Sequence, residues 1–175
     1  MRIDIVLTVT GTDRVGLVEE VTKVLLDLGA NIETSRMARL GGEFAMLMLL
    51  SVSPDRVAAL ESALDHLADR GFKVTTSETQ QTYAEAHPGW LGYRVEVDGA
   101  DHEGIIHEIA SGLSRRGINI ESMETRVTQA PVSGATLFSM SAVVVVPPQL
   151  SEAEWFADLD EAGRQSNVDV GVSAL

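Results

Sequence analysis

Two short stretches of this chain set acidic, basic and imidazole side chains between glycines. They are Gly11-Thr12-Asp13-Arg14-Val15-Gly16 and Gly99-Ala100-Asp101-His102-Glu103-Gly104. Each follows an apolar run and precedes residues at helical spacing. Such a junction presents the unpaired first amides of a helix, at the positive end of its dipole, to an anion. A carboxylate fits there, and Gly16 allows close approach. The Asp13 carboxylate or the Asn31 carbonyl oxygen can accept from an ammonium group. Asn31 opens the segment that follows the helix and is expected at the same end of the sheet as Asp13. The combination suits a free amino acid. The plainer reading is that Asp13 caps the helix, Gly11 and Gly16 only turn the chain, and Asn31 ties down a turn.

Other chemistries fit less well. A phosphate loop needs a lysine and a Ser/Thr at its end, and a dinucleotide fingerprint needs G-x-G-x-x-G; neither stretch has them. Arg14 resembles the loop arginine of an acylphosphatase-like enzyme, but His102 replaces it in the second stretch and no glycine-rich anion cradle accompanies it. The histidines His66, His87, His102 and His107 are scattered, and the last two are not at the i, i+4 spacing of a helical zinc pair. The chain has no cysteine, which removes disulfides, zinc ribbons and thiol nucleophiles. No catalytic residue, metal or cofactor is expected.

The elements that must position these loops come in two copies. Residues 11–33 and 99–121 align at an offset of 88 residues with nine of 23 positions identical, among them Gly16/Gly104, Asn31/Asn119 and Glu33/Glu121. In the first copy, residues 3–10 read as a strand. Leu17, Val21, Val24, Leu25 and Leu28 then mark one face of a helix, and Gly29 ends it. Strands are expected at 31–39 and 43–52 around a Gly41-Gly42 hairpin turn. Ser53 and Pro54 open a second helix with Ser53 as cap, and its stripe is Val57, Leu60, Leu64 and Leu67. Residues 72–79 form the last strand.

The second copy repeats the order, with strands 92–98, 119–128, 136–146 and 167–173 and helices 104–117 and 151–163. Its last helix looks short and poorly periodic. The βαββαβ order predicts an α+β protein of two ferredoxin-like domains, each an antiparallel four-stranded sheet with two helices on one face. Residues 1–80 and 91–175 are the domains, and 81–90, which breaks periodicity at a Pro-Gly turn, is the linker.

The chain of 175 residues carries 26 acidic and 13 basic side chains, a formal net charge of −13. That field disfavours direct nucleic-acid binding and an anionic membrane surface, and permits a basic protein partner. Only 5% of residues are aromatic, which leaves little for base stacking. The N-terminal apolar run is short and interrupted and has no signal-type cleavage site, so a cytoplasmic location is expected.

Strand, G-x-D-x-x-G-[LI], helix, G-x-N-I, strand resembles the ACT domain, a small-molecule-sensing βαββαβ module, and both copies match. The second copy, with its long hairpin APVSGATLFSM, is similar to the glycine cleavage system transcriptional repressor family of tandem ACT proteins. The resemblance implies a non-catalytic regulator. It implies that amino acids such as glycine or serine bind where ACT domains meet. It also implies contact with a regulatory protein partner rather than DNA, and a homodimer. The ligand-contact positions it carries over are Thr12, Asp13, Arg14, Val15, Gly16, Leu17, Asn31 and Ile32, and Asp101, His102, Glu103, Gly104, Ile105, Asn119 and Ile120. The family loop is usually D-R-P-G. Neither copy keeps the proline, and Glu103 adds a negative charge where a carboxylate would approach. The first loop is therefore the expected site of the two. A purely structural ACT-like interaction module without ligand is the alternative.

Overall fold

The computed structural model describes residues 2–79, 86–131 and 133–175. The chain divides into two compact units, residues 1–83 and 84–175. Positions 81–85 of the expected linker lie outside the described residues.

The first unit comprises β1 (Ile3–Thr12), α1 (Leu17–Asp27), β2 (Asn31–Leu40), β3 (Glu43–Val52), α2 (Val57–Ala68) and β4 (Lys73–Thr79). Its sheet runs β2-β3-β1-β4 with every neighbouring pair antiparallel. The second unit comprises β5 (Leu91–Ala100), α3 (Ile105–Arg115), β6 (Asn119–Gln129), β7 (Thr136–Val146), α4 (Glu152–Gln165) and β8 (Val168–Ala174). Its sheet repeats the order as β6-β7-β5-β8. This is the expected α+β arrangement of two ferredoxin-like domains.

Strict alternation buries one face of each sheet. Leu7 and Val9 of β1 and Met46, Met48 and Leu50 of β3 face Leu17, Val21 and Leu25 of α1 and Leu60, Leu64 and Leu67 of α2. In the second unit, Val95, Val97, Met140, Ala142 and Val144 face Ile105, Ile109 and Leu113 of α3 and Trp155 and Leu159 of α4. Trp155, Tyr93 and Phe156 meet edge to face with centroids 4.4–6.0 Å apart. Among the described residues, no helix is long and apolar enough to cross a membrane.

Three local expectations are corrected. Ser53 does not cap α2: its hydroxyl donates to the Asp55 carboxylate at 2.5 Å, and Pro54–Arg56 forms a 3-10 turn before the α-helix begins. Gly11 is not a turn residue. It lies inside β1, where a Cβ would stand 2.5 Å from the Phe72 ring; at Gly99 of β5 a Cβ would stand 2.7 Å from Val168. These two glycines are repeated because a neighbour occupies the Cβ space. Finally, α4 has 14 residues, three more than α3. Its buried stripe is Trp155, Leu159, Ala162 and Gly163. The periodicity looks poor because the last two members are small: Gly112 of α3 packs on Leu159 and Ala162, and Gly163 packs on Val170.

A Cβ at Gly163 would lie 2.5 Å from Val170 Cγ2 and 3.0 Å from the Val168 carbonyl, whereas Gly171 has open space. Gly163→Ala should destabilise the second unit by ~1–3 kcal/mol, and Gly171→Ala should stay within ~0.5 kcal/mol of wild type. Both tryptophans, Trp90 and Trp155, belong to the second unit. Urea unfolding followed by tryptophan fluorescence therefore reads this difference directly.

Candidate functional site

Both loops enter their helices in the same way. Gly16 stands at φ +89° and Gly104 at φ +98°, a left-handed conformation that glycine adopts without steric cost. Each is the N-cap residue, and the first helical bonds run from Glu20 N–H to Gly16 O (2.9 Å) and from Glu108 N–H to Gly104 O (3.0 Å). Neither helix receives a side-chain cap. Leu17 and Ile105, the next residues, are buried in the core, while Val15 is fully exposed. Asp13 therefore does not cap α1. Its backbone N–H donates to Gly42 O at 3.0 Å and its carboxylate lies 3.7 Å from Arg39. Thr12 ends β1 with its hydroxyl donating to Glu43 at 3.2 Å.

Asn31 is not beside this loop. It pairs with Ser51 on β3, whereas Thr12 pairs with Glu43. The eight residue steps from Glu43 to Ser51 span roughly 26 Å at the rise of a strand. Asp13 and Asn31 thus occupy opposite ends of the same sheet. The second unit does the same: Asp101 N–H donates to Thr136 O, while Asn119 pairs with Val145 at the far end of β7. A strand that follows a helix starts where the helix ends, one helix length away from the loop. Ten-residue strands around an eleven-residue helix carried that signal in the sequence.

At the far end, Asn31 donates to Glu33 at 2.7 Å. The β2–β3 register shifts between Ile32 and Thr34, and the β6–β7 register shifts between Ile120 and Ser122. The repeated N-I-E thus marks a β-bulge at Glu33 and at Glu121. Ile32 is 36% exposed, while Ile120 packs partly against the core.

The basic residue of each loop is held internally, by different partners. Arg14 pairs with Glu20 and lies 5.5 Å over the Phe72 ring. Glu20 also accepts from His66 at 2.8 Å and Arg70 at 2.9 Å, so three side chains, from helix α2, the turn after it and the β1–α1 loop, converge on one carboxylate. The Arg14 hydrogen bond, ahead of His66 and the charges of Arg14 and Arg70, holds the Glu20 carboxyl below the usual glutamate range. His102 takes Arg14's position, with Nε2 2.6 Å from Ser166 O and Nδ1 3.0 Å from Glu103 O. Glu103 is exposed.

Each loop borders an open groove. In the first unit it measures about 520 Å³ and is lined by Thr12, Asp13, Arg14, Arg70 and Phe72. In the second it measures about 690 Å³ and reaches the helix start itself, with Gly104, Ile105, Ile106 and His107 of α3 facing Thr125, Val127 and Phe138 of the sheet. Arg70, Phe72, Thr125, Val127, Phe138 and Ser166 are contributed by elements distant in sequence.

Two βαββαβ units in tandem, each with a left-handed glycine opening its first helix, define the class of fold. The ACT-domain family profiles match residues 4–76 and 93–154, and the chain belongs to that family, with two ACT domains in tandem. It is similar to the glycine cleavage system transcriptional repressor of Escherichia coli K12, at 32% identity over 126 residues, 72% of this chain and 66% of that protein. A UPF0237 protein of Methanococcus maripaludis is 44% identical over 74 residues, 41% of this chain and 82% of that protein. The crystal structure of an unknown protein from Galdieria sulphuraria covers 100% of this chain and 99% of its own, at 34% identity and a TM-score of 0.89.

Because the Glu20 carboxyl is depressed in the folded state, its contribution to stability is present above the ordinary value of 4.5 and is lost as pH falls through the folded value. An Arg14/Glu20 double-alanine cycle should give a coupling of ~0.5–1 kcal/mol at neutral pH. Repeating the cycle at falling pH should shrink that coupling toward zero as the carboxyl protonates at its depressed folded value, below 4.5.

Proposed function

We propose that this protein is a non-catalytic amino-acid sensor that modulates a transcriptional regulator of glycine metabolism through protein contact. The observation that carries the reading is the pair of uncapped helix starts. At Gly16 and Gly104 the first amides have no side-chain cap, and each start has an aspartate, Asp13 or Asp101, on its loop. Amides that receive a carboxylate and an aspartate that receives an ammonium suit an α-amino acid of the glycine or serine class. The similarity to the glycine cleavage repressor supports the regulatory setting.

The distance between Asp13 and Asn31 shapes the mechanism. One ligand touches both only if the loop comes from one copy of the chain and Asn31 from a second copy set in the opposite direction. A ligand held in this way stabilises the homodimer and, by linkage, one state of its partner-binding surface. The net charge of −13 favours a protein partner with a basic surface. The alternative is a ligand-free interaction module. The internal engagement of Arg14 and His102 favours it, because neither side chain is free to reach a ligand.

Calorimetric titration with glycine and serine separates the two. The sensor reading expects saturable heat that Asp13→Ala and Asn31→Ala each weaken about tenfold, a loss of ~1.4 kcal/mol. It also expects a shift in the monomer–dimer equilibrium with ligand. No heat and no thermal shift with any of the common amino acids at millimolar concentration removes sensing and leaves the interaction module.

A further inference from the structure

The two loops differ at the residue that ties each to the rest of its unit. In the first unit it is an arginine, which keeps its charge at all working pH values. In the second it is His102, and both of its ring nitrogens face oxygens that can only accept: Ser166 O at 2.6 Å and Glu103 O at 3.0 Å. A neutral imidazole has one N–H, so it can donate to one of these carbonyls while its other nitrogen turns a lone pair toward the second. The imidazolium donates to both. We propose that His102 is a protonation-operated clasp between the β5–α3 loop and the α4–β8 turn. Charged, it donates to both carbonyls; neutral, it can hold Ser166 O only while turning the Nδ1 lone pair toward Glu103 O, so the tie between the turn and the loop that frames the groove at Gly104 is weakened.

The surroundings are consistent with this role. The Glu103 and Ser166 carbonyls, in that order, raise the His102 pKa against an opposing effect of burial, and the charge of Asp101 adds a lesser upward push. The other charged or titratable side chains near it are Glu103 on its own loop and His107 in the first turn of α3, on the same groove. Of the residues in the turn it grips, Ser166 and Asn167, neither titrates. Arg164, at the end of α4, is already paired with Asp160 and Glu161. On β8, Asp169 lies opposite Asp98 in the sheet. The grip has a backbone consequence too. Asn167 holds a left-handed φ of +50°, so the chain at Ser166 is set by a tight helix-ending turn, with its carbonyl against His102 Nε2.

The sign follows from linkage. With the folded value raised, the clasp's contribution is complete below the ordinary histidine value of about 6.5 and is lost as pH rises through the folded value. The clasp needs no ligand, so it stands or falls independently of the amino-acid reading.

The test is a ¹H–¹⁵N NMR titration of the full chain without ligand, from about pH 5 to about pH 9 across the histidine range. Amides of residues 103–105 and of residues 166–168 are expected to titrate together. Their shared midpoint should match that of the His102 ring and lie above the ordinary histidine value. His102→Gln should abolish the shared transition while the rest of the spectrum is retained, and His107→Gln should leave it in place. Imidazole ¹⁵N shifts below the midpoint should show both ring nitrogens protonated. The proposal is overturned if His102 titrates at or below the ordinary value, if the two segments titrate separately, or if the transition survives His102→Gln or vanishes with His107→Gln.

Discussion

A left-handed glycine at the start of a helix governs this fold. At Gly16 and Gly104 the backbone turns in a way that a β-carbon would strain, and that turn does two things at once. It swings Leu17 and Ile105 directly into the core, which anchors the helix over the sheet. It also leaves the N-cap position without a side chain, so no hydroxyl or carboxylate occupies the helix amides. The core and the candidate site are therefore consequences of the same backbone angle. A side chain at either glycine would disturb both.

What could be read from the residues divides along physical lines. The helices α1 and α2 were visible because large apolar residues recur on one face. The Gly41-Gly42 turn was visible because both residues need positive φ, which they adopt at +59° and +91°. Helix α4 was harder to read because its contact face is built partly from Ala162 and Gly163, where closeness rather than bulk makes the contact. The role of Gly11 and Gly99 was hidden for a related reason: the cause of each glycine is a neighbour, Phe72 or Val168, more than 60 positions away. The loop residues at both helix starts are legible from their types, whereas the placement of Asn31 is legible only from the length of the helix before it. Asn31 and Asp13 are joined by a helix, and adjacency to both ends of one helix is separation, not proximity.

The two copies also show how a duplicated fold drifts. The backbone device is preserved to within about ten degrees at the helix starts, while the side chains that secure it have changed. The first unit gathers Arg14, His66 and Arg70 on Glu20, a charged knot between loop and helices. The second replaces the arginine with a histidine that grips main-chain oxygens of Glu103 and Ser166. Side-chain pairing can be lost through either partner. A carbonyl acceptor is present whatever residue stands at 166, so the second arrangement depends on fewer identities. Glu103 remains the acid that the first loop lacks, yet the groove that reaches the helix amides belongs to the second unit.

The bulges at Glu33 and Glu121 bear on a different problem. Each sits near the start of an edge strand, and each inserts an unpaired, charged residue into a ladder that would otherwise present a long row of free amides and carbonyls to solvent. A straight edge of ten residues is a template on which further strands can stack without limit. A kinked edge with a carboxylate at the kink ends that template after a few residues. The repeated N-I-E motif thus also interrupts the regular edge of each open sheet close to its start.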